Sequence, residues 1–88
     1  MGTKIKLNSM LLEYTQNQEI VEVSGNTIQE CLDSLIVLFP GLKEVLFDTE
    51  DRLSSLVIFN REVILPNTLN TPVSGHEEFS ISPMIYGG

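Results

Sequence analysis

The sequence predicts an α+β domain, a mixed sheet of four to five strands with one main helix packed across one face. Three observations carry this. The stretch from Thr27 to Phe39 has the 3.6-residue apolar period of an amphipathic helix. Short segments with period-two alternation or β-branched content lie on both sides of it. At 88 residues the chain makes one domain with a modest core, so helix and strands must share that core.

Lys4-Ile5-Lys6-Leu7-Asn8 alternates polar and apolar, which gives a half-buried strand facing inward through Ile5 and Leu7. Ser9 to Gln18 turns polar toward its end and is expected to be a connecting loop. Glu19-Ile20-Val21-Glu22-Val23 is the second strand of a hairpin, with Val21 and Val23 inside, and Ser24-Gly25-Asn26 ends it.

Thr27-Ile28-Gln29-Glu30 fits the capping box, in which Thr and Glu satisfy orphan amides at a helix start. Apolar side chains follow at Ile28, Cys31, Leu32, Leu35, Ile36 and Phe39, while Glu30, Asp33 and Ser34 take the wet face. Pro40 and Gly41 stop the helix. Each large side chain on that stripe contributes roughly 1.5–3 kcal/mol when fully buried, so the stripe must face a sheet.

Leu42, Val45 and Leu46 suit one short helical turn, and Asp48 to Asp51 a loop. Leu56-Val57-Ile58-Phe59 is a strand by content. Asn60-Arg61 is its tight turn, and Glu62-Val63-Ile64-Leu65 returns as a short strand. With Val57 and Phe59 inward, period two turns Ile58 outward; the reversed register would bury it. A loop runs from Pro66 to Gly75, and the last strand, Glu78 to Met84, faces inward through Phe79 and Ile81. This order of strands around one long helix matches the β-grasp architecture of ubiquitin, in which the first and last strands pair in parallel at the centre of the sheet. The expected division is a domain over 1–84 and a flexible tail over 85–88 that ends in Gly87-Gly88.

Composition narrows the function. A net charge of −7 disfavours nucleic acid and favours a partner with a basic docking surface. No apolar run approaches the ~20 residues of a membrane span, and the start of the sequence lacks the apolar stretch of a signal peptide, so the expected compartment is the cytosol. Cys31 and His76 are the only residues of their kinds, which effectively excludes a Cys/His metal site and any internal disulfide. Cys31 lies on the buried stripe and reads as core; His76 reads as a solvated loop residue. Glu13, Glu19, Glu22, Asp48, Glu50 and Asp51 read as solvated faces, the last three without calcium-loop spacing. There is no phosphate loop and no nucleophile–base pair. What remains is the tail. Two terminal glycines put a carboxylate on a thin, unhindered strand that can enter a narrow channel. That points to Gly88 as the reactive group.

Several segments carry a resemblance. Thr27 to Leu32 and Phe39-Pro40-Gly41-Leu42 are similar to a capped helix closed by "Y/F-P-G-L". Val57 to Glu62 resembles a "V-x-V-N-G-E" hairpin, and Thr71 to Pro83 resembles "T-P-L-x-D-G-D-E-V-x-I-x-P". With Gly87-Gly88, these resemble, nearly end to end, the MoaD/ThiS-like ubiquitin-fold sulfur-carrier family, of the molybdopterin synthase small-subunit type. Arg61 stands where the family carries a turn glycine, which argues against a type I′ turn there. Ser74 and His76 replace acidic residues, and Met84-Ile85-Tyr86 replace smaller ones.

The resemblance implies a carrier and cosubstrate, not an enzyme: no catalytic residue, no metal and no cofactor bound by the chain itself. An E1-like adenylating enzyme would use ATP and Mg to activate Gly88, a sulfur donor would convert it to a thiocarboxylate, and a large synthase subunit or other sulfur-acceptor enzyme would take the sulfur, most often for molybdopterin. Gly87, Tyr86 and Ile85 would enter the partner's channel, and Ile58 and Met84 would dock against it. The alternatives are a ubiquitin-like modifier conjugated through Gly88, a sulfur carrier for thiamine, cysteine or tRNA thiolation, and a β-grasp interaction domain without terminal chemistry.

Overall fold

The computed structural model describes residues 2–50 and 53–83 of the chain. Strands β1 (Thr3–Leu7) and β2 (Ile20–Val23) form the antiparallel N-terminal hairpin. Helix α1 (Ile28–Leu38) follows, then the one-turn helix α2 (Lys43–Leu46), the hairpin β3 (Ser55–Phe59) and β4 (Glu62–Val63), and finally β5 (Phe79–Pro83). The sheet order is β2-β1-β5-β3-β4. β5 runs parallel to β1, with Leu7 beside Ile81, and antiparallel to β3, with Val57 beside Ile81. The first and last strands thus meet at the middle of the sheet, the β-grasp arrangement.

Period two decides which face each strand buries. Ile5, Leu7, Val21, Val23, Val57, Phe59, Phe79 and Ile81 point into one core with Ile28, Cys31, Leu32 and Leu35 of α1. Phe59 and Phe79 are cross-strand partners whose rings meet edge to face, centroids 5.4 Å apart. Ile36 and Phe39 are only partly buried, and Val37 and Leu38 at the end of α1 are exposed.

Four local details depart from the sequence reading. Ser9–Tyr14 forms a 3₁₀ helix instead of plain loop: Asn8 caps it by accepting the Met10 N–H at 2.9 Å, and Leu11 anchors it in the core. Met10, Leu11, Leu12 and Tyr14 are apolar or aromatic but span barely two 3₁₀ turns, too short a run to show a period. The capping box is displaced by one residue. Thr27 Oγ1 accepts the Glu30 N–H (3.2 Å), but the Glu30 carboxylate accepts from the Asn26 N–H (2.8 Å). The return strand is shortened to Glu62–Val63, after which Ile64 N–H still bonds Val57 C=O (2.8 Å). Asn60 (φ 53°) and Arg61 (φ 70°) both adopt left-handed backbone, the signature of a type I′ turn, against the expectation drawn from the missing glycine. Pairing of Phe59 with Glu62 leaves two residues for the turn, and that geometry overrides side-chain preference.

The segment 69–73 clamps the start of α1. Leu69 and Thr71 carbonyls accept from Gln29 and Ile28 N–H, and Val73 N–H donates to Asn26 C=O. Amides that a helix start leaves orphaned are thereby satisfied by the loop ahead of β5.

Candidate functional site

β5 ends at Pro83, paired with Ser55 at the rim of the sheet. Ser54 and Ser55 hydroxyls both donate to Val45 C=O (2.8 and 2.6 Å), tying that rim to α2. Gly88, Gly87, Tyr86, Ile85 and Met84 follow Pro83 and lie outside the described residues, as does the proposed tail as a whole.

The other site residue, Ile58, is described. It is half-buried and lies on the face of β3 opposite Val57 and Phe59, so the outward register holds. Its cross-strand neighbours are Ser80 on β5 and Val63 on β4. Ser80 in turn stands beside Lys6, and Lys6 beside Ile20. A row Ile20–Lys6–Ser80–Ile58–Val63 therefore crosses the whole outer face of the sheet. Ile20 is 57% exposed and Val63 56%. α1 packs on the other face, so this row has no covering layer among the described residues. Sequence reasoning found Ile58 and missed Val63, Lys6 and Ile20 as its row-mates. Alternation alone turns Lys6 and Ile20 outward, but only strand order and register place them in line with Ile58.

The remaining candidates sort as their chemistry predicts. Cys31 is fully buried; burial pushes its thiol up, a hydrogen bond with Thr3 pulls the other way, and the Glu30 and Glu77 carboxylates add to the rise. A thiol so held is packing, not a nucleophile. His76 is exposed. For Glu77, burial alone raises the carboxyl's affinity for its proton. Hydrogen bonds from the Ser74 N–H and hydroxyl, its own N–H and the Gly75 N–H outweigh that and hold Glu77 below the usual carboxylate range. Glu77 thus organises the turn at Gly75, whose φ of 94° needs glycine. Among the described residues no group of His, Cys, Asp and Glu could hold a metal ion, and no helix is long and apolar enough to cross a membrane.

No protein-family model matches the chain, and no curated protein matches its sequence. Solved structures do match over its length. The small archaeal modifier protein 1 (SAMP1) of Methanosarcina acetivorans superposes with a TM-score of 0.81 at 28% identity, over 99% of this chain and 96% of that one. CysO in the BexX/CysO complex of Amycolatopsis orientalis gives 0.82 at 25% identity, over 98% and 99%. The complex of subunits 1 and 2 of molybdopterin-converting factor from Helicobacter pylori gives 0.63 at 22% identity, over the whole of both chains, and bears on the fold alone. Taken with the parallel β1–β5 pair, the clamped helix and the hairpin, these full-length matches show a ubiquitin-like β-grasp fold and are consistent with a MoaD/ThiS-like ubiquitin-fold sulfur carrier.

Proposed function

We propose that this chain is a sulfur carrier whose working group is the Gly88 carboxylate. The observation that carries the reading is the full-length match to CysO and SAMP1, joined to a sequence whose last strand runs within five residues into Gly87-Gly88. The chemistry follows from the group. A carboxylate is a poor acyl donor because oxide is a poor leaving group. An E1-like partner using ATP and Mg would join it to AMP with release of pyrophosphate. Sulfide would then displace AMP, leaving Gly88 as a thiocarboxylate, a soft anionic nucleophile near neutral pH. Its sulfur would attack an activated acceptor held by a synthase partner, and water would cleave the acyl–sulfur bond to restore the carboxylate. The catalytic groups would belong to the partners. Gly87, Tyr86 and Ile85 would thread the partner's channel, while Ile58 and Met84 would dock beside it.

A second reading has its own support. The match to a protein named as a modifier (TM-score 0.81) is closer than the match to molybdopterin-converting factor (0.63). The same activated Gly88 would then join a target lysine through an isopeptide bond. Molybdopterin, thiamine, cysteine and tRNA thiolation stay within the first reading as acceptors.

One experiment separates these. The chain is incubated with ATP, magnesium, a sulfide source and the host's adenylating enzyme, and its intact mass is measured. A gain equal to the mass difference between sulfur and oxygen, lost on deletion of Gly88, is the expected result. A ladder of conjugates in place of that gain would support the modifier reading. Neither product, with a partner shown to be active, would sink both.

A further inference from the structure

The helix layer carries a second surface that the tail chemistry does not use. Gln29, Asp33, Ile36 and Val37 lie at i, i+4, i+7 and i+8 along one flank of α1. With Lys43 of α2 and Phe47 they line an open trough of about 450 Å³. A second hollow, of about 580 Å³, adjoins it and shares Lys43 and Phe47. The floor is apolar, built by half-buried Phe47 and Ile36, and beside it stands Val37, at 79% the most exposed large apolar side chain among the described residues. The rim is acidic. Asp33 and Glu44, both exposed, stand with a single lysine, Lys43. Asp33 is held in place by the Gln29 amide, which donates to it at 2.9 Å.

We propose that this trough is a second docking site and that it takes a basic amphipathic helix of a partner protein. Shape supports a helix: the flank of α1 that lines the trough, Gln29 to Val37, is about 12 Å long, room for roughly two turns laid alongside. Helices seat in such grooves by apolar anchors at i, i+3/i+4 and i+7. Charge selects the sign of its polar face. Lysine or arginine beside the anchors would meet Asp33 and Glu44, on a chain whose net charge is −7. The same charge argues against a second copy as occupant, since it would bring twelve acidic side chains against five basic ones. The trough shares no residue with the Ile20–Lys6–Ser80–Ile58–Val63 row and lies in the other layer of the fold. A partner on the sheet and a helix in the trough would therefore bind together without competing, whatever becomes of Gly88.

Two synthetic peptides test this on the full chain labelled with nitrogen-15. One has Leu at helical anchor spacing with Lys on its polar face; the other has Glu for each Lys. The Lys peptide is expected to shift the backbone amides of Asp33, Val37, Lys43 and Phe47, with binding that weakens as salt rises. The Glu peptide is expected to shift nothing. The variant Asp33→Lys with Glu44→Lys should lose roughly tenfold or more in affinity for the Lys peptide, by the loss of two charge pairs. Val37→Asp, at a site exposed enough to leave the fold intact, should lose binding through the apolar contact it removes. Equal binding of both peptides, shifts confined to the Ile58 row, or unchanged affinity in either variant would overturn the proposal. So would shifts that grow with the chain's own concentration when no peptide is present.

Discussion

Arg61 holds a φ of 70° that costs an ordinary L-residue on the order of 1–2 kcal/mol and glycine little. Its partner in return is Glu78, 3.7 Å away with both side chains largely exposed, a pair worth little in water. Arg61→Gly is therefore expected to raise stability by about 1 kcal/mol in urea denaturation. A loss would mean that Arg61 makes a contact stronger than that ion pair. Glu77 supplies a pH dependence. It binds its proton more weakly folded than unfolded, so its contribution is complete above the ordinary carboxylate range. That contribution disappears as pH falls through the depressed folded value. Glu77→Gln should lower the midpoint at neutral pH and bring the two proteins together in acid; a gap that persists in acid would show that the loss is steric. Neither residue reveals its role in sequence. Asn-Arg lacks the glycine of a type I′ turn, and the partners of Glu77 depend on how 74–77 folds back on itself.

At the scale of the element, α1 was legible almost to the residue because its stripe, cap and stop signals agree. Ile28, Cys31, Leu32 and Leu35 are all fully buried. Its first turn depends on more than its own residues. Thr27→Ala removes the acceptor for the Glu30 N–H and should cost about 1 kcal/mol. Gly25→Ala should cost more, about 1–3 kcal/mol, because a Cβ there would lie 2.8 Å from the Cys31 nitrogen, a backbone atom that cannot step aside. Chemical denaturation of the two variants checks the order; an innocuous Gly25→Ala would mean that the turn at 24–26 can shift. The clamp of 69–73 on this turn was not legible, since its bonds are carbonyl-to-amide contacts between segments some forty residues apart. The 3₁₀ helix at Ser9–Tyr14 escaped because it is short: Leu11 is fully buried and Leu12 packs beside it, but six residues show no period.

For the whole molecule, the two parts of the proposed function can be separated by substitution. Ile58→Asp, on the outer sheet face, should weaken capture by the partner enzyme about tenfold or more, measured by calorimetry, with the thermal midpoint little changed. Unaltered affinity would remove the Ile58 row from the interface. Deleting Gly88 should leave both the midpoint and that affinity nearly as they were and abolish the change in intact mass. The overall charge of −7 adds that the association rate with a basic partner should fall as salt is raised.

What the sequence determined by itself was local and periodic. The helix and its buried face, the inward side of each strand, the buried Cys31 and the outward Ile58 all follow from which residues recur at two or at 3.6 positions. Periodicity acts between neighbours in the chain, so it survives without knowledge of the fold. Tertiary structure decided the register and the close neighbours. Strand order and register brought Ile20, Lys6, Ser80, Ile58 and Val63 into one row. A two-residue connection imposed left-handed backbone on Asn60 and Arg61. The turn Pro40–Leu42, which packs on both α1 and α2, set the two helices so that a trough opens at Val37 and Phe47. Each depends on how strands pair and helices pack, fixed by burial and hydrogen bonding across elements, which residue periodicity by itself does not encode.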